Sequence, residues 1–152
     1  MTLKKMKFKI LKINDEKITN LVQLESEAED EGYQFVGRAM YEFLSGDNDF
    51  AGEGEILYGA YVGQWCLGIC GLNIDPYTNE KGIGRVRHLY VSEQFRNKGI
   101  ATALMEKVID RAKKHFIILR LKSTPNAIDF YDKLGFSESV SEHESHRMVL
   151  ER

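Results

Sequence analysis

Apolar residues alternate with lysines at the start of the chain, Met6, Phe8 and Ile10 against Lys5, Lys7 and Lys9, and a period of two predicts a strand. Asn14 or Asp15 is placed to cap a following helix, whose apolar positions Ile18, Leu21, Val22 and Ala28 keep the 3.6-residue period and which ends by Gly32. A second amphipathic helix carries Phe35, Val36, Ala39, Met40 and Phe43 on one side, with Gly46 placed to stop it. After a polar loop over 47–55, the stretch 56–74 is rich in Tyr, Val, Trp, Cys, Leu and Ile and breaks at Gly63 and Gln64, which predicts a β-hairpin. Asp75, Pro76, Tyr77 and Thr78 then open a turn.

The second half reads as a strand over 85–91, a helix over 99–115, a strand over 116–122, a helix over 126–134, and closing strands over 136–140 and 147–150. Two strands joined by a helix make a βαβ unit, whose right-handed crossover sets that pair parallel. Hairpins on either side pair antiparallel. The expected fold is therefore α/β of the α+β kind: a central mixed, mostly antiparallel sheet flanked by helices. No internal repeat or linker interrupts it, and residues 1–152 read as a single domain.

Composition removes several functions. The chain has 152 residues, 43% hydrophobic and 29% charged, and 21 basic residues against 23 acidic ones leave a net charge of -2. No global basic field exists to hold a nucleic acid. The longest apolar runs fall far short of the roughly 20 residues of a membrane span, and the N-terminal alternation is unlike a signal peptide, so the expected location is cytoplasmic. Cys66 and Cys70 lie four residues apart in one predicted strand, roughly 13 Å, too far for a disulfide. No metal site is expected: the acidic loop from Asp47 has Ala51 and Tyr58 where a calcium loop needs oxygen ligands. His143 and His146, three apart in an extended segment, point to opposite faces.

Chemistry concentrates at Arg96, Asn97, Lys98, Gly99, Ile100, Ala101 and Thr102, between a strand and the longest helix. A helix start presents unpaired N–H groups and about half a positive charge, Gly99 and Ala101 let an anion approach, and Arg96 and Lys98 add formal charges at the rim. These features describe a pyrophosphate cradle. About 25 residues later come Asn126, Phe130, Tyr131, Leu134, Gly135 and Phe136. In these two motifs and their spacing the sequence resembles the GNAT family of N-acetyltransferases. Arg96, Gly99 and Ala101 fill its phosphate-loop signature, and the later segment fills its second.

The resemblance implies the acyl-CoA N-acyltransferase fold, in which the parallel strands around Tyr90 and Leu119 splay to admit the pantetheine arm of acetyl-CoA. Leu89, Tyr90 and Val91 are then expected to pair with that arm, residues 96–102 to hold the diphosphate, and Asn126 either to cap its helix or to bond the cofactor. The implied reaction is transfer of acetyl from the co-substrate acetyl-CoA to a primary amine of a small molecule or peptide. The alternative is an acetyl-CoA-binding regulatory module without turnover. Tyr131, a phenol with a pKa of about 10, suits protonation of the departing thiolate, its other reading being a core aromatic.

The family often supplies a Glu on the strand before the phosphate loop, and Arg85 to Val91 contains no acid. His88 and Glu53 are the candidate bases, with Glu55 beside the latter and Asp75 more distant. Acidic runs at Glu25, Glu27, Glu29, Asp30 and Glu31, and at Asp47, Asp49, Glu53 and Glu55, suit a cationic acceptor or are solvated faces. Tyr33, Phe35, Tyr41 and Phe50 either wall an acceptor pocket or fill the core. By analogy with such folds, a homodimer through the closing strands over 136–150 is expected.

Overall fold

The computed structural model describes residues 7–151, so Lys5 and Met6 of the N-terminal alternation lie outside the described residues. The strands are β1 (Lys9–Lys12), β2 (Ile56–Val62), β3 (Trp65–Ile74), β4 (Ile83–Val91), β5 (Ile118–Leu121), β6 (Ser137–Ser141) and β7 (Glu144–Val149). The helices are α1 (Val22–Asp30), α2 (Phe35–Ser45), α3 (Ile100–His115) and α4 (Ile128–Lys133). The sheet runs β1-β2-β3-β4-β5-β7-β6, antiparallel except for β4 and β5. β6 is therefore an edge, whereas β7 lies inside the sheet and offers no edge for dimerisation.

Local details depart from the pattern for visible reasons. The first helix opens as a 3₁₀ turn over Lys17–Leu21, and its buried residues Ile18, Leu21 and Leu24 recur every third position, as that tighter helix requires. Asn14 does hold the start, its side-chain oxygen accepting the Lys17 N–H at 2.9 Å. Val22, expected on the apolar face, is instead exposed. Gly46 ends α2 in the left-handed region at φ 86°, as expected.

Apolar residues form two clusters, one on each face of the sheet. α3 buries Ile100, Leu104, Met105, Val108 and Ala112 against one face, where Tyr131 and Phe136 join them. The 3₁₀ turn, α1 and α2 bury Ile18, Leu21, Leu24, Val36 and Phe43 against the other, over Leu57, Ile69 and Tyr90. Cys66 and Cys70 are both free thiols, and burial pushes the Cys66 pKa up to about 11.

The parallel pair sets up the site. β4 and β5 are in register only at Ile83↔Ile118, Gly84↔Leu119 and Arg85↔Arg120. Beyond Arg85 the strands part, while β4 stays paired to β3 as far as Val91. The splay therefore begins above Leu119, which is still paired, and frees the β4 edge through Tyr90.

A buried charge cluster closes the floor of this gap on the α1–α2 face. The Asp75 carboxylate, with no exposed side-chain surface, accepts from Arg85 at 3.2 Å and from Arg120 at 2.6 Å. Glu144 accepts from Arg147 at 2.7 Å and from Arg120 at 3.4 Å, and these cations hold its pKa down to about 2. Removing one member of such a buried set leaves an uncompensated charge and typically costs about 3–5 kcal/mol.

Candidate active site

The turn between β4 and α3 is built to leave its amides open. Asn97 (φ 63°) and Gly99 (φ 84°) both lie in the left-handed region, and α3 starts at Ile100 with no side chain capping it. Alternating handedness makes successive N–H groups converge on one point, and the first-turn amides have no partner inside the helix. Among the described residues the N–H groups of 97–102 show no acceptor, the first helical bond at this end being Ala103 N–H to the Gly99 carbonyl at 3.0 Å. A Cβ on Gly99 would meet no protein atom within 4 Å, and the φ of 84° is one that favours glycine.

A cleft of about 420 Å³ opens over this turn and runs into the gap beside β4. Its wall gathers Leu89, Tyr90, Val91, Arg96, Asn97, Gly99, Ile100, Ala101, Thr102 and Asn126, joined by Tyr33 from the α1–α2 connection, Phe35 at the start of α2 and Phe130 from α4. Lys98 and Tyr131 are not part of that wall. Another cavity, of about 480 Å³, lies between α1 and the β2–β3 hairpin around Trp65 and contains none of the site residues expected from sequence.

Arg96 is not a free charge at the rim. Its Nε donates to the Val91 carbonyl at 2.9 Å, and its two terminal nitrogens donate to both oxygens of Glu31 at 2.5 and 2.9 Å. The Tyr90 hydroxyl donates to the same carboxylate. The guanidinium, followed by Tyr90, holds the Glu31 pKa below its ordinary value. Glu31 thereby ties the end of α1 to the turn before α3, and Glu27 adds a second tie by accepting from the Ser92 hydroxyl at 2.8 Å. Nothing local in the sequence signals either bond, since the partners lie 65 residues apart.

Asn126 does not cap α4. It sits in a 3₁₀ turn over Pro125–Ala127, its oxygen accepts from the Thr124 hydroxyl at 2.7 Å, and it faces the cleft. Tyr131 is buried edge-on to Phe130 and Phe136 at 5.1 and 5.9 Å. Burial, and behind it the Cys70 thiol, raises its pKa, so the phenol keeps its proton across the working range. Cys70 stands on β3 where the β3–β4 register shifts, and both it and Tyr131 belong to the core on the α3 face.

That shift marks a bulge in β4. His88 has φ 60°, and the register passes from Ile69↔Tyr90 to Gly71↔Arg87. A bulge puts two successive side chains on one face. His88 stacks on Phe35 at 6.3 Å and meets Phe50 edge-on at 6.3 Å. Arg87 sits opposite Gly71, whose missing Cβ faces the same Phe50 ring. Burial, then Arg87 and Arg38, pull the His88 pKa down to about 3, so the ring is neutral at pH 7 and a poor proton acceptor. Its Nε2 is buried without a hydrogen-bond partner.

Glu53 does not join these groups. It is exposed, next to Gly54, whose Cβ position lies 2.7 Å from His115 at the far end of α3. A 16-residue helix is roughly 24 Å long, so Glu53 is about that far from the turn at the helix head. Glu55 is occupied by Asn73 and the Ile74 and Gly52 amides, and Asp75 by two arginines. Of the aromatic candidates, Tyr41 is exposed and Phe50 is buried under His88.

The sheet is mixed, it opens between its one parallel pair, and a turn with open amides stands at the mouth. Residues 18–136 match the model of the acetyltransferase (GNAT) family, and the chain belongs to that family of acyltransferases. A candidate acetyltransferase from Exiguobacterium sp. 255-15 is 30% identical and superposes with a TM-score of 0.86, covering 95% of this chain and 94% of that one. An uncharacterized N-acetyltransferase from Methanocaldococcus jannaschii is 34% identical over 73 residues, 45% of this chain and 32% of that protein, so the likeness spans about a third of its length. A GNAT-family acetyltransferase from Staphylococcus aureus Mu50, 17% identical with a TM-score of 0.75 over 95% of this chain and 100% of that one, shares the fold. Among the described residues no helix is long and apolar enough to cross a membrane.

Proposed function

We propose that the chain transfers the acetyl group of acetyl-CoA to an amine by direct attack within a ternary complex. The observation that carries this reading is the row of unpaired amides at 97–102 opening onto the gap where β4 leaves β5. Converging N–H groups at a helix head suit a diphosphate. The freed edge of Leu89, Tyr90 and Val91 suits an extended amide-bearing arm, and Asn126 faces it from the other wall.

Acetyl-CoA, when bound, supplies an activated acetyl group and a thiolate leaving group. The residues then have separate tasks. The β4 edge and the turn hold the arm so that its end reaches the bulge. Tyr131, kept protonated by burial, stands as the proton donor. The desolvation that raises this phenol also acts on the neighbouring Cys70 thiol, and a thiolate held in the same space is made more basic likewise, so the proton transfer stays balanced. His88 lines the approach as a neutral ring and not as the base, and the acceptor loses its proton to solvent before or during attack.

The test is release of free thiol from acetyl-CoA with a panel of amines, alongside calorimetry of acetyl-CoA binding. Turnover whose kcat/KM rises with pH up to the amine's own pKa, with no lower break, supports the assignment. Absence of both binding and thiol release would remove it. One observation favours the alternative, a regulatory module that binds acetyl-CoA without turnover: the bulge lacks a group basic enough to take the amine proton. Tight binding with no thiol release from any amine selects that alternative.

A further inference from the structure

The acidic runs suggest a cationic acceptor, but the side chains facing the gap have the opposite sign. Glu31 is spent on Arg96 and Tyr90, Glu27 on Ser92, and Glu55 on Asn73. On the α1–α2 face of the gap, β4 and β5 present Arg85, Arg87 and Arg120. Arg85 and Arg120 share Asp75, and Arg120 still has a buried Nε with no acceptor. Among the described residues Arg87 forms no ion pair, and neither does Arg38, one turn along α2 from Phe35.

The bulge gives this arrangement its direction. It turns Arg87 and His88 to the same face, above the point where β4 and β5 part, and leaves the His88 Nε2 buried without a partner beside Phe35, which also walls the cleft. An unpaired guanidinium lacks an acceptor of negative charge, and the neutral ring beside it joins as a donor in its Nε2–H tautomer. We propose that the acceptor amine carries an anionic group, a carboxylate or a phosphate, seated on Arg87 at the bulge beside the His88 Nε2, with the exposed Arg38 closing over it from α2. This rests on the gap being the acceptor's approach in acetyl transfer, and it assigns the acceptor's class and the residues that select it.

The experiment compares matched acceptors in the thiol-release assay: O-phosphoethanolamine against ethanolamine, and β-alanine against its methyl ester. Charge-assisted hydrogen bonds predict about a 10- to 100-fold higher kcat/KM for the anionic member. The phosphate pair and the carboxylate pair distinguish the two anions. In Arg87→Gln the ratio within each pair falls toward one, and Arg87→Lys restores part of it because the charge returns without the fork. Equal or reversed ratios in the native protein, or a ratio that survives Arg87→Gln, overturn the inference while leaving acetyl transfer intact. If no amine turns over, inorganic phosphate and acetate are titrated into the acetyl-CoA-saturated protein while the His88 ring and Arg87 side-chain nitrogen resonances are followed. Saturable shifts that vanish in Arg87→Gln sustain the anion subsite, and unmoved resonances overturn it.

Discussion

The two sides of the gap between β4 and β5 offer a ligand different kinds of group. At the mouth next to α3, the groups on offer are backbone amides of one continuous turn, 97–102, and their placement follows from two left-handed residues. On the α1–α2 face the groups on offer are side chains from separate segments, Arg38 on α2 and Arg87 and His88 on β4, brought together by a single bulge. A backbone cradle is generic toward its anion and is damaged by one wrong dihedral. A side-chain subsite is selective and is lost one charge at a time. Conserved chemistry can therefore sit at the first while specificity is written at the second.

The largest effect tests the transfer that both sides serve. Tyr131 is the proposed proton donor, buried in the core on the α3 face, and Tyr131→Phe removes its hydroxyl without altering the ring packing on Phe130 and Phe136. General-acid contributions run to about 10²–10⁴ in rate. The expected outcome is a fall of about that size in kcat with acetyl-CoA affinity within about twofold, measured by thiol release and calorimetry. A variant with native kcat would return Tyr131 to a purely structural role.

Next in size is the cradle itself. Gly99→Asp places a Cβ at φ 84°, a conformation costing roughly 1–2 kcal/mol for a non-glycine residue, and sets a carboxylate among the amides. Because nothing lies within 4 Å of that Cβ, the fold is expected to persist. Acetyl-CoA affinity is expected to drop by about 100-fold by calorimetry, with an unchanged circular dichroism spectrum. Unaltered affinity in the folded variant would mean that the turn binds nothing.

A smaller effect probes the link across the gap. Glu31→Gln keeps the side-chain size but removes the charge that Arg96 grips with both terminal nitrogens. Pairs of this partly exposed kind are worth little in isolation, but this one holds the turn in place through the Val91 carbonyl. About a tenfold loss of acetyl-CoA affinity is expected with little change in Tm. A loss of stability without a loss of affinity would place Glu31 in the fold and not in the site.

Legibility in the sequence divides along the same line. The cradle could be read because its parts are contiguous: Arg96 to Thr102 contains the strained residue, the glycine and the helix head. The hairpin at Gly63, the stop at Gly46 and the parallel pair were equally local consequences of pattern. The pattern places Arg96 in the turn but does not show its pairing, because its partner Glu31 lies 65 residues away. Position at the start of the hairpin makes Glu53 a candidate in the sequence, yet the hairpin starts at the opposite end of α3. The bulge at His88 had no signal, since a histidine in the left-handed region is a consequence of register with β3 and not of its own preference. The acidic runs show a related limit of pattern: Glu31 is neutralised by Arg96, while Glu27 and Glu55 are held in place by Ser92 and Asn73, and a charge count along the chain sees none of these partners.

The smallest expected effect checks the state of the acceptor face without any ligand. An unfolded His88 takes up a proton below about pH 6.5, whereas the folded ring, buried and facing Arg87 from β4 and Arg38 from α2, resists down to about 3. Between these values the unfolded state holds one more proton, so stability falls as the pH falls, by at most about 1.4 kcal/mol per pH unit. Glu144, held down to about 2, begins to lose its contribution only as the pH drops through its ordinary value of 4.5, and Glu31, lowered in the same direction, behaves likewise. Above pH 4.5 Glu138, raised by its hydrogen bond with Asp132, also titrates, but it does so in native protein and variant alike, so the difference between the two isolates His88. Asparagine tolerates a left-handed backbone, so His88→Asn keeps the bulge and removes the titrating ring. Urea unfolding at pH 6.5, 5.5 and 4.5 should show the native protein weakening more steeply than the variant. Equal slopes would mean that the ring protonates in place, giving the face a third cation beside Arg38 and Arg87 and making anion selectivity rise as the solution is acidified.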